Sequence, residues 1–274
     1  MASHLFSRDK ETGLADRMFI DTHAHLQWAS FDGVRRNVLE RAKAKRVTRI
    51  VNIGFDLAGS LKGVKLAENH KGLYATVGIH PHSANTLNKK IVEKMRELAA
   101  NPKVVAIGEI GLDYYRNLSP KEVQKQAFET QLALAQEIEL PVVIHDREAH
   151  EDILQALQRF KGKIKGMMHC FSGNKEMAQQ YIDLGYKISF AGPITYPKNH
   201  ELREIAKWIN LKNVLLETDC PFLAPQEVRG KRNEPSFLPM IAQEVANLKR
   251  ISMDELAETT TRNAEEILKL STTA

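Results

Sequence analysis

Short apolar segments alternate along the chain with longer segments in which apolar residues recur at helical spacing. From Met18 onward the apolar segments predict eight strands, most of them without strict alternation, as in a parallel sheet covered on both faces. We therefore predict an α/β protein with one domain over residues 18–270, folded as a (β/α)8 TIM barrel, with a doubly wound open sheet as the alternative. The predicted strands are Met18–His25, Arg49–Phe55, Tyr74–His80, Val104–Leu112, Pro141–His145, Gly166–Cys170, Tyr186–Ala191 and Asn213–Asp219.

Two of the helical segments carry signals at their ends. Ser119 and Pro120 predict an N-cap followed by a proline at the first helical position, and Glu122 stands where a capping box needs it. A closing helix is predicted from Asp254 to Leu270.

Composition narrows the class of protein. The 274 residues are 43% hydrophobic and 27% charged, which is typical of a globular protein, and no apolar run is long enough to span a membrane. With only two cysteines, a disulfide framework is excluded and a cytoplasmic location is expected. The net charge of +5 is a weak indication of a polyanionic partner. Residues 1–17 lack the apolar core of a signal peptide, and we interpret them as a leader or tag-like extension.

Candidate metal ligands stand at the carboxyl ends of five predicted strands. Each alone is weak, because a single histidine is more often a core residue and a single carboxylate more often a helix cap or surface charge. Together they would meet at one mouth of a parallel barrel, where burying so many ionisable groups without a cation would be costly. The candidates are His23, His25, Glu109, His145, His169 and Asp219.

Six ligands exceed what one tetrahedral ion needs, so we expect two divalent metal ions. Mixed imidazole and carboxylate donors suit Zn²⁺ or Mn²⁺, and also Mg²⁺ if water completes the shell. A bridging carboxylate is required, and Glu109, on a middle strand, is the candidate. Such a pair of ions is typical of metal-assisted hydrolysis.

Other residues are candidates for contacts with a phosphate. His80 closes the third predicted strand as a hydrogen-bond donor, and the role of His82 stays open. Arg147 suits bidentate contact with a phosphate, although an ordinary salt bridge to Glu148 or Glu151 is the alternative.

The end of the chain's eighth predicted strand supplies further candidates. Alternation puts Glu217 on the same inward face as Asp219, where it could orient a water or a ligand histidine. The basic loop that follows offers Arg229 and Lys231 to a phosphate, with a solvated charge run as the alternative.

Both cysteines directly follow a candidate ligand. Strand geometry is expected to turn Cys170 and Cys220 away from those ligands, into the layer between sheet and helices. We interpret both as small buried hydrophobic residues.

The chain contains, in order, His-x-His, Gly-Glu-Ile-Gly-Leu-Asp, a histidine after the fifth strand, His-Cys-Phe-Ser-Gly and Glu-Thr-Asp-x-Pro. This order of motifs resembles the TatD family of metal-dependent deoxyribonucleases, within the amidohydrolase superfamily. The resemblance runs from Met18 to about Leu270 and implies a TIM barrel. It implies one metal on His23, His25, Glu109 and Asp219, and a second on Glu109, His145 and His169.

The resemblance implies a 3′–5′ exonuclease and DNA-repair nuclease. We expect hydrolysis of DNA phosphodiester bonds by a two-metal activated hydroxide, with Asp219 accepting the proton and Glu109 and Glu217 as further catalytic residues. Single-stranded ends are the expected substrate, because a barrel mouth is a pit and not a groove for a duplex. The aromatic content of 7% argues against an extended stacking platform. No membrane contact and no obligate protein partner are expected.

Three alternatives remain open on the sequence alone. The same scaffold could hydrolyse a small amide, ester or phosphoester, because fold and metals do not fix the substrate. It could instead deacylate aminoacyl-tRNA, or act as a binding protein without activity.

Overall fold

Eight parallel strands form the barrel in the computed structural model, which describes residues 18–270. Each strand pairs with the next along the chain, so the doubly wound alternative is wrong. Backbone bonds join the first strand to the segment after the eighth: His25 N donates to the Cys220 carbonyl at 2.8 Å. The leader predicted for residues 1–17 lies outside the described residues. The strands β1 to β8 are Phe19–Ala24, Val47–Asn52, Leu73–Val77, Val104–Asp113, Val142–Arg147, Gly166–Met168, Tyr186–Phe190 and Val214–Leu216.

Several strands end earlier than predicted. β2 ends at Asn52 and not at Phe55, and β6 and β8 end at Met168 and Leu216. The residues beyond those ends are apolar or buried, so hydrophobicity does not mark the point where the ladder stops. After β6 and β8 the backbone turns through left-handed residues, Cys170 (φ 42°) and Asp219 (φ 56°), which breaks the extended repeat.

The helices lie between the strands along the chain, with two after the last strand. The predicted closing helix is confirmed as α9, capped by Ser252, whose hydroxyl accepts from Glu255 N at 3.1 Å. The cap predicted for Ser119 is wrong, because its hydroxyl donates to the His82 carbonyl at 3.1 Å and α4 begins at Lys121 without a side-chain cap. Within the described residues the α-helices α1 to α9 are Arg35–Ala44, Leu57–Asn69, Lys89–Ala99, Lys121–Glu137, His150–Arg159, Lys175–Asp183, His200–Trp208, Leu238–Lys249 and Met253–Leu268.

The amino ends of the strands are covered by α9. Its Ile267 and Leu268 pack with residues inside the barrel such as Ile20, and Glu265 pairs with Arg49 near the start of β2 at 2.6 Å. Apolar closure of this end leaves the carboxyl ends of the strands as the open mouth, where barrel enzymes build their sites. No helix in residues 18–270 has the length and apolar character to cross a membrane.

Candidate metal centre

The end of β1, the residue that follows it and the loop after β8 bring two imidazoles and a carboxylate to one point at the mouth. His23 Nε2 lies 3.1 Å from His25 Nε2, and Asp219 Oδ1 lies 3.6 and 3.4 Å from those two atoms. Glu109, from the middle of β4, adds its Oε2 at 3.4 Å from His23 and 3.8 Å from His25. All four residues are buried.

The donor atoms of His23, His25 and Asp219 have the spacing of ligands on one ion, and Glu109 Oε2 lies at a similar distance from both histidines. Ligands placed tetrahedrally ~2.1 Å from a zinc ion stand about 3.4 Å from one another. The five separations above run from 3.1 to 3.8 Å, on either side of that value. The residues present therefore fit a divalent cation.

The other oxygen of Glu109 faces a second group of imidazoles. Its Oε1 lies 2.9 Å from His145 Nδ1, 3.7 Å from His169 Nε2 and 3.5 Å from His80 Nε2. One carboxylate thus stands between two donor groups, which we call the first group (His23, His25, Asp219) and the second group (His145, His169, His80). The buried clusters indicate a binuclear metal site, with Glu109 in contact with both groups.

Two further carboxylates hold imidazoles of the second group from outside. Glu217 Oε1 lies 2.6 Å from His169 Nδ1 and accepts from Cys170 N at 2.8 Å. Asp113 Oδ2 lies 3.3 Å from His145 Nε2 and 2.7 Å from His82 Nε2. Carboxylates behind ligand histidines fix the ring orientation and raise the basicity of the coordinating nitrogen.

The electrostatics of the centre follow from burial and from these pairs. Burial disfavours the charged carboxylate of Glu109, but the imidazoles of His80 and His169 outweigh it and hold its pKa well below the usual range. Burial likewise favours neutral His145 and His169, yet the carboxylates raise their pKa values to about 9 and about 10. A metal ion binds the neutral imidazole, so metal binding at this centre is expected to release protons.

His80 differs from its neighbours in the second group. Burial lowers its pKa to about 4 despite the carboxylate of Glu109. The backbone N–H of His82 donates to His80 Nδ1 at 3.1 Å, which places the proton of the neutral ring on Nε2, the atom aimed at Glu109. His80 therefore presents an N–H donor towards the centre.

Asp21 forms hydrogen bonds with the two segments that carry His23 and Asp219 of the first group. Its carboxylate accepts from Thr218 N at 2.9 Å and Thr218 Oγ1 at 2.6 Å, and it also accepts from His23 N. Burial raises its pKa to about 7. The contacts tie the loop that carries Asp219 to the strand that carries His23.

The predicted phosphate contacts have different surroundings from those expected. Arg147 is exposed and lies over the Tyr115 ring at 4.0 Å, so the alternative salt bridges to Glu148 and Glu151 are wrong. Arg229 lies over the Tyr196 ring at 4.6 Å, and Lys231 is exposed. Within the described residues, none of these three cations forms an ion pair with a carboxylate of the centre.

The cysteine prediction is half right. Cys220 is fully buried in the main core, as expected. For Cys170 the prediction is wrong, because its thiol lies within 4.8 Å of donor atoms of His169 and Glu217. The left-handed conformation of Cys170 breaks the alternation on which the prediction rested. Burial raises the pKa of its thiol well above the usual value, which disfavours the thiolate.

Sequence reasoning assigned no role to Asp113, although the residue stands in the quoted motif. The spacing of the two residues could have indicated this role. Residues four apart on a strand share a face, and Asp113 follows Glu109 by four. It also missed a cluster of aromatic rings beside His25, made of Trp28, Phe55 and Phe222. No local pattern marks that cluster, because its members lie in three different loops.

Comparisons with known proteins find relatives in sequence and in fold. A family model described as TatD related DNase matches residues 20–269. The uncharacterized metal-dependent hydrolase YabD of Bacillus subtilis is 41% identical over 255 residues, covering 93% of this chain and 100% of YabD. The 3′-5′ ssDNA/RNA exonuclease TatD of Pantoea vagans is 37% identical over 258 residues, covering 92% and 99%. The crystal structure of YjjV, a TatD homolog from Escherichia coli, has a TM-score of 0.89 and 31% identity, covering 93% and 100%.

Proposed function

The chain belongs to the TatD-related DNase family, and from that membership we propose that it is a 3′–5′ exonuclease acting on single-stranded DNA. The chain is a metal-dependent hydrolase of this family. One observation supports the exonuclease proposal above the others: Glu109 Oε2 contacts the first group and Glu109 Oε1 contacts the second. Two cations on either side of one carboxylate suit displacement at a phosphodiester.

Six residues are proposed to hold the metal ions. His23, His25 and Asp219 would hold one and His145 and His169 the other, with Glu109 between them. When bound, the divalent cations would polarise a phosphoryl oxygen and lower the pKa of water.

The chain's own residues supply the remaining roles. Asp219 is proposed to accept the proton of the attacking water, and Glu217 to orient His169 through their 2.6 Å contact. His80 is proposed to donate its Nε2 proton to a phosphate oxygen.

Arg147, Arg229 and Lys231 are proposed to attract the substrate's phosphates. Their exposed positions suit electrostatic attraction more than fixed bidentate contacts.

An end-labelled single strand tests the proposal directly. The metal-free protein is incubated with a 5′-labelled oligonucleotide, and Mg²⁺, Mn²⁺ or Zn²⁺ is added back separately. A ladder that shortens one nucleotide at a time from the 3′ end is expected with at least one metal. The expected cleavage weakens steeply with added salt, because phosphate contacts release counterions.

Two results would overturn the proposal. The first is intact DNA with every metal in a protein that binds metal normally. The second is hydrolysis of neutral esters or of aminoacyl-tRNA without cleavage of DNA, which would favour a small-molecule hydrolase or a deacylase on the same centre.

A further inference from the structure

An aromatic cluster stands beside the first group of donors. Trp28 and Phe55 are stacked, with ring centroids 5.3 Å apart at 16°, and Phe222 meets Trp28 edge-on at 5.6 Å. The rings of Phe55 and Phe222 lie 5.7 and 6.0 Å from the His25 ring. Three loops, after β1, β2 and β8, thus place their rings at the edge of the metal centre.

Two rings of this cluster are open to solvent although they are large and apolar. Trp28 is 39% exposed and Phe222 is 45% exposed. Their mutual contacts hold them in place before any ligand arrives, so little side-chain entropy remains to be lost on binding. An exposed and preordered aromatic surface next to a reaction centre is suited to a flat apolar ligand group.

The basic loop that follows β8 is attached to the same cluster. Arg232 Nη1 donates to the carbonyl of Ser30, two residues after Trp28. Asn233 is fully buried and its Nδ2 donates to the Phe222 carbonyl at 2.6 Å. These bonds attach the basic loop to the segments that carry Trp28 and Phe222, which suits a ligand that is both flat and anionic.

We propose that Trp28 and Phe222 stack a nucleobase next to the scissile phosphodiester. This inference rests on the proposed nuclease function, and it adds how the substrate is held. One sugar joins a base to its phosphate. A base that stacks on the cluster therefore has its phosphate close to the first group. Stacking accepts every base, because each has a π face, and it needs an unpaired strand.

Kinetics on one oligonucleotide test the proposal. Trp28→Ala is expected to raise KM about tenfold with kcat little changed, because stacking holds ground state and transition state alike. Phe222→Ala is expected to act in the same direction and serves as a second variant if Trp28→Ala folds poorly. Trp208→Ala is the matched control: its ring is 37% exposed but lies under Lys175, and KM is expected to stay unchanged.

A substrate without bases separates stacking from general damage to the site. An oligonucleotide whose last two 3′ residues are abasic lacks the stacked group but keeps every phosphate. Wild-type protein is expected to show a raised KM on it, and Trp28→Ala is expected to treat the abasic and normal ends alike. Equal KM values for both ends in wild-type protein would overturn the proposal.

Fluorescence gives a readout that does not depend on cleavage. The chain has two tryptophans, so Trp208→Phe leaves Trp28 as its sole indole. With EDTA present, a short single-stranded oligonucleotide is expected to quench the emission of this variant, and a fully abasic oligomer is expected to leave it unchanged. Equal quenching by both oligomers, or none by either, would overturn the stacking role, whereas quenching without any cleavage by wild-type protein would instead count against the proposed nuclease function.

Discussion

Glu109 is the residue on which the centre depends, because each of its oxygens faces a different donor group. The same strand, β4, also carries Asp113, which contacts the far nitrogen of His145 at 3.3 Å. A single strand therefore supplies both the shared carboxylate and one of the carboxylates that hold the second group. Such outer carboxylates commonly change metal affinity by about 10- to 100-fold.

Replacing Asp113 by asparagine tests this role. Asp113→Asn keeps the size of the side chain but removes the charge that orients and polarises His145. We expect divalent-cation affinity to fall about 10- to 100-fold, with unchanged stoichiometry at saturating metal, in a competition titration against a chelating dye.

Asp146→Asn is the control for that titration. Asp146 is the neighbour of His145 in sequence, but it accepts from Tyr181 at 2.6 Å and contacts His150 instead of the centre. The metal affinity of the Asp146→Asn protein is expected to match that of the wild type. An Asp113→Asn protein with wild-type affinity would contradict the assigned role.

At the scale of elements, side-chain hydrogen bonds add to the backbone bonds that hold the segment after β8. Asn233 donates to the carbonyls of Thr218 and Phe222, and Glu234 makes a bidentate pair with Arg41 of α1 at 2.8 and 2.6 Å. Glu234 is buried, whereas the Arg41 side chain is about half exposed at 49%. This pair fastens the basic loop to the first helix.

The pair predicts a pH-dependent contribution to stability. Burial disfavours ionised Glu234, but hydrogen bonds from Arg41 and Ser236 outweigh it and hold its pKa below the ordinary 4.5. The contribution is therefore complete above pH 4.5 and is lost as the pH falls through the lower folded-state pKa. Glu234→Gln is expected to lower the free energy of unfolding by about 1 kcal/mol at pH 7, after allowance for the exposed arginine.

Urea unfolding at pH 7 and pH 4 checks this prediction. The difference between wild type and Glu234→Gln is expected to shrink at pH 4, because Glu234 of the unfolded chain takes up a proton below its pKa of 4.5. Glu40→Gln removes an exposed partner of Arg36 on α1 and is expected to have little effect at either pH. A Glu234→Gln difference that stays constant with pH would refute the assignment.

On the scale of the whole molecule, the barrel separates stability from chemistry. Apolar residues inside the barrel pack with α9 at the amino ends of the strands. The ionisable groups collect at the carboxyl ends, where several strands contribute one side chain each. Buried carboxylates and imidazoles gain a counter-ion when a metal binds, so the folded state is expected to be stabilised by metal.

Chelation measures this coupling. At a free metal concentration of about 100 times Kd, binding contributes about 2.7 kcal/mol, or roughly 5–10 °C in Tm for a chain of this size. EDTA is expected to remove that increment and added metal to restore it. The variant with both His23→Ala and His25→Ala is expected to lose much of the metal response, whereas exposed His200→Ala keeps it. A full metal response in the double variant would contradict the first group as a binding site.

The fold was predictable because its signals are local. Eight apolar segments separated by helical segments predicted the barrel, and the order of strands confirmed it. The strand ends were less predictable, since β6 and β8 stop at Met168 and Leu216 while the chain beyond them stays buried. The N-cap expected at Ser119 is not formed, because the Ser119 hydroxyl donates to the carbonyl of His82, which is distant in sequence.

The sequence by itself determined the residue types at the mouth, since the carboxyl ends of parallel strands must meet at one end of a barrel. Only the tertiary structure decided which oxygen of Glu109 faces which imidazole, and that Asp113 contacts His145. The aromatic cluster was likewise invisible in a composition of 7% aromatic residues. The physical reason is that periodicity depends on residues close together in the sequence, whereas these contacts join segments that the closed barrel brings together in space.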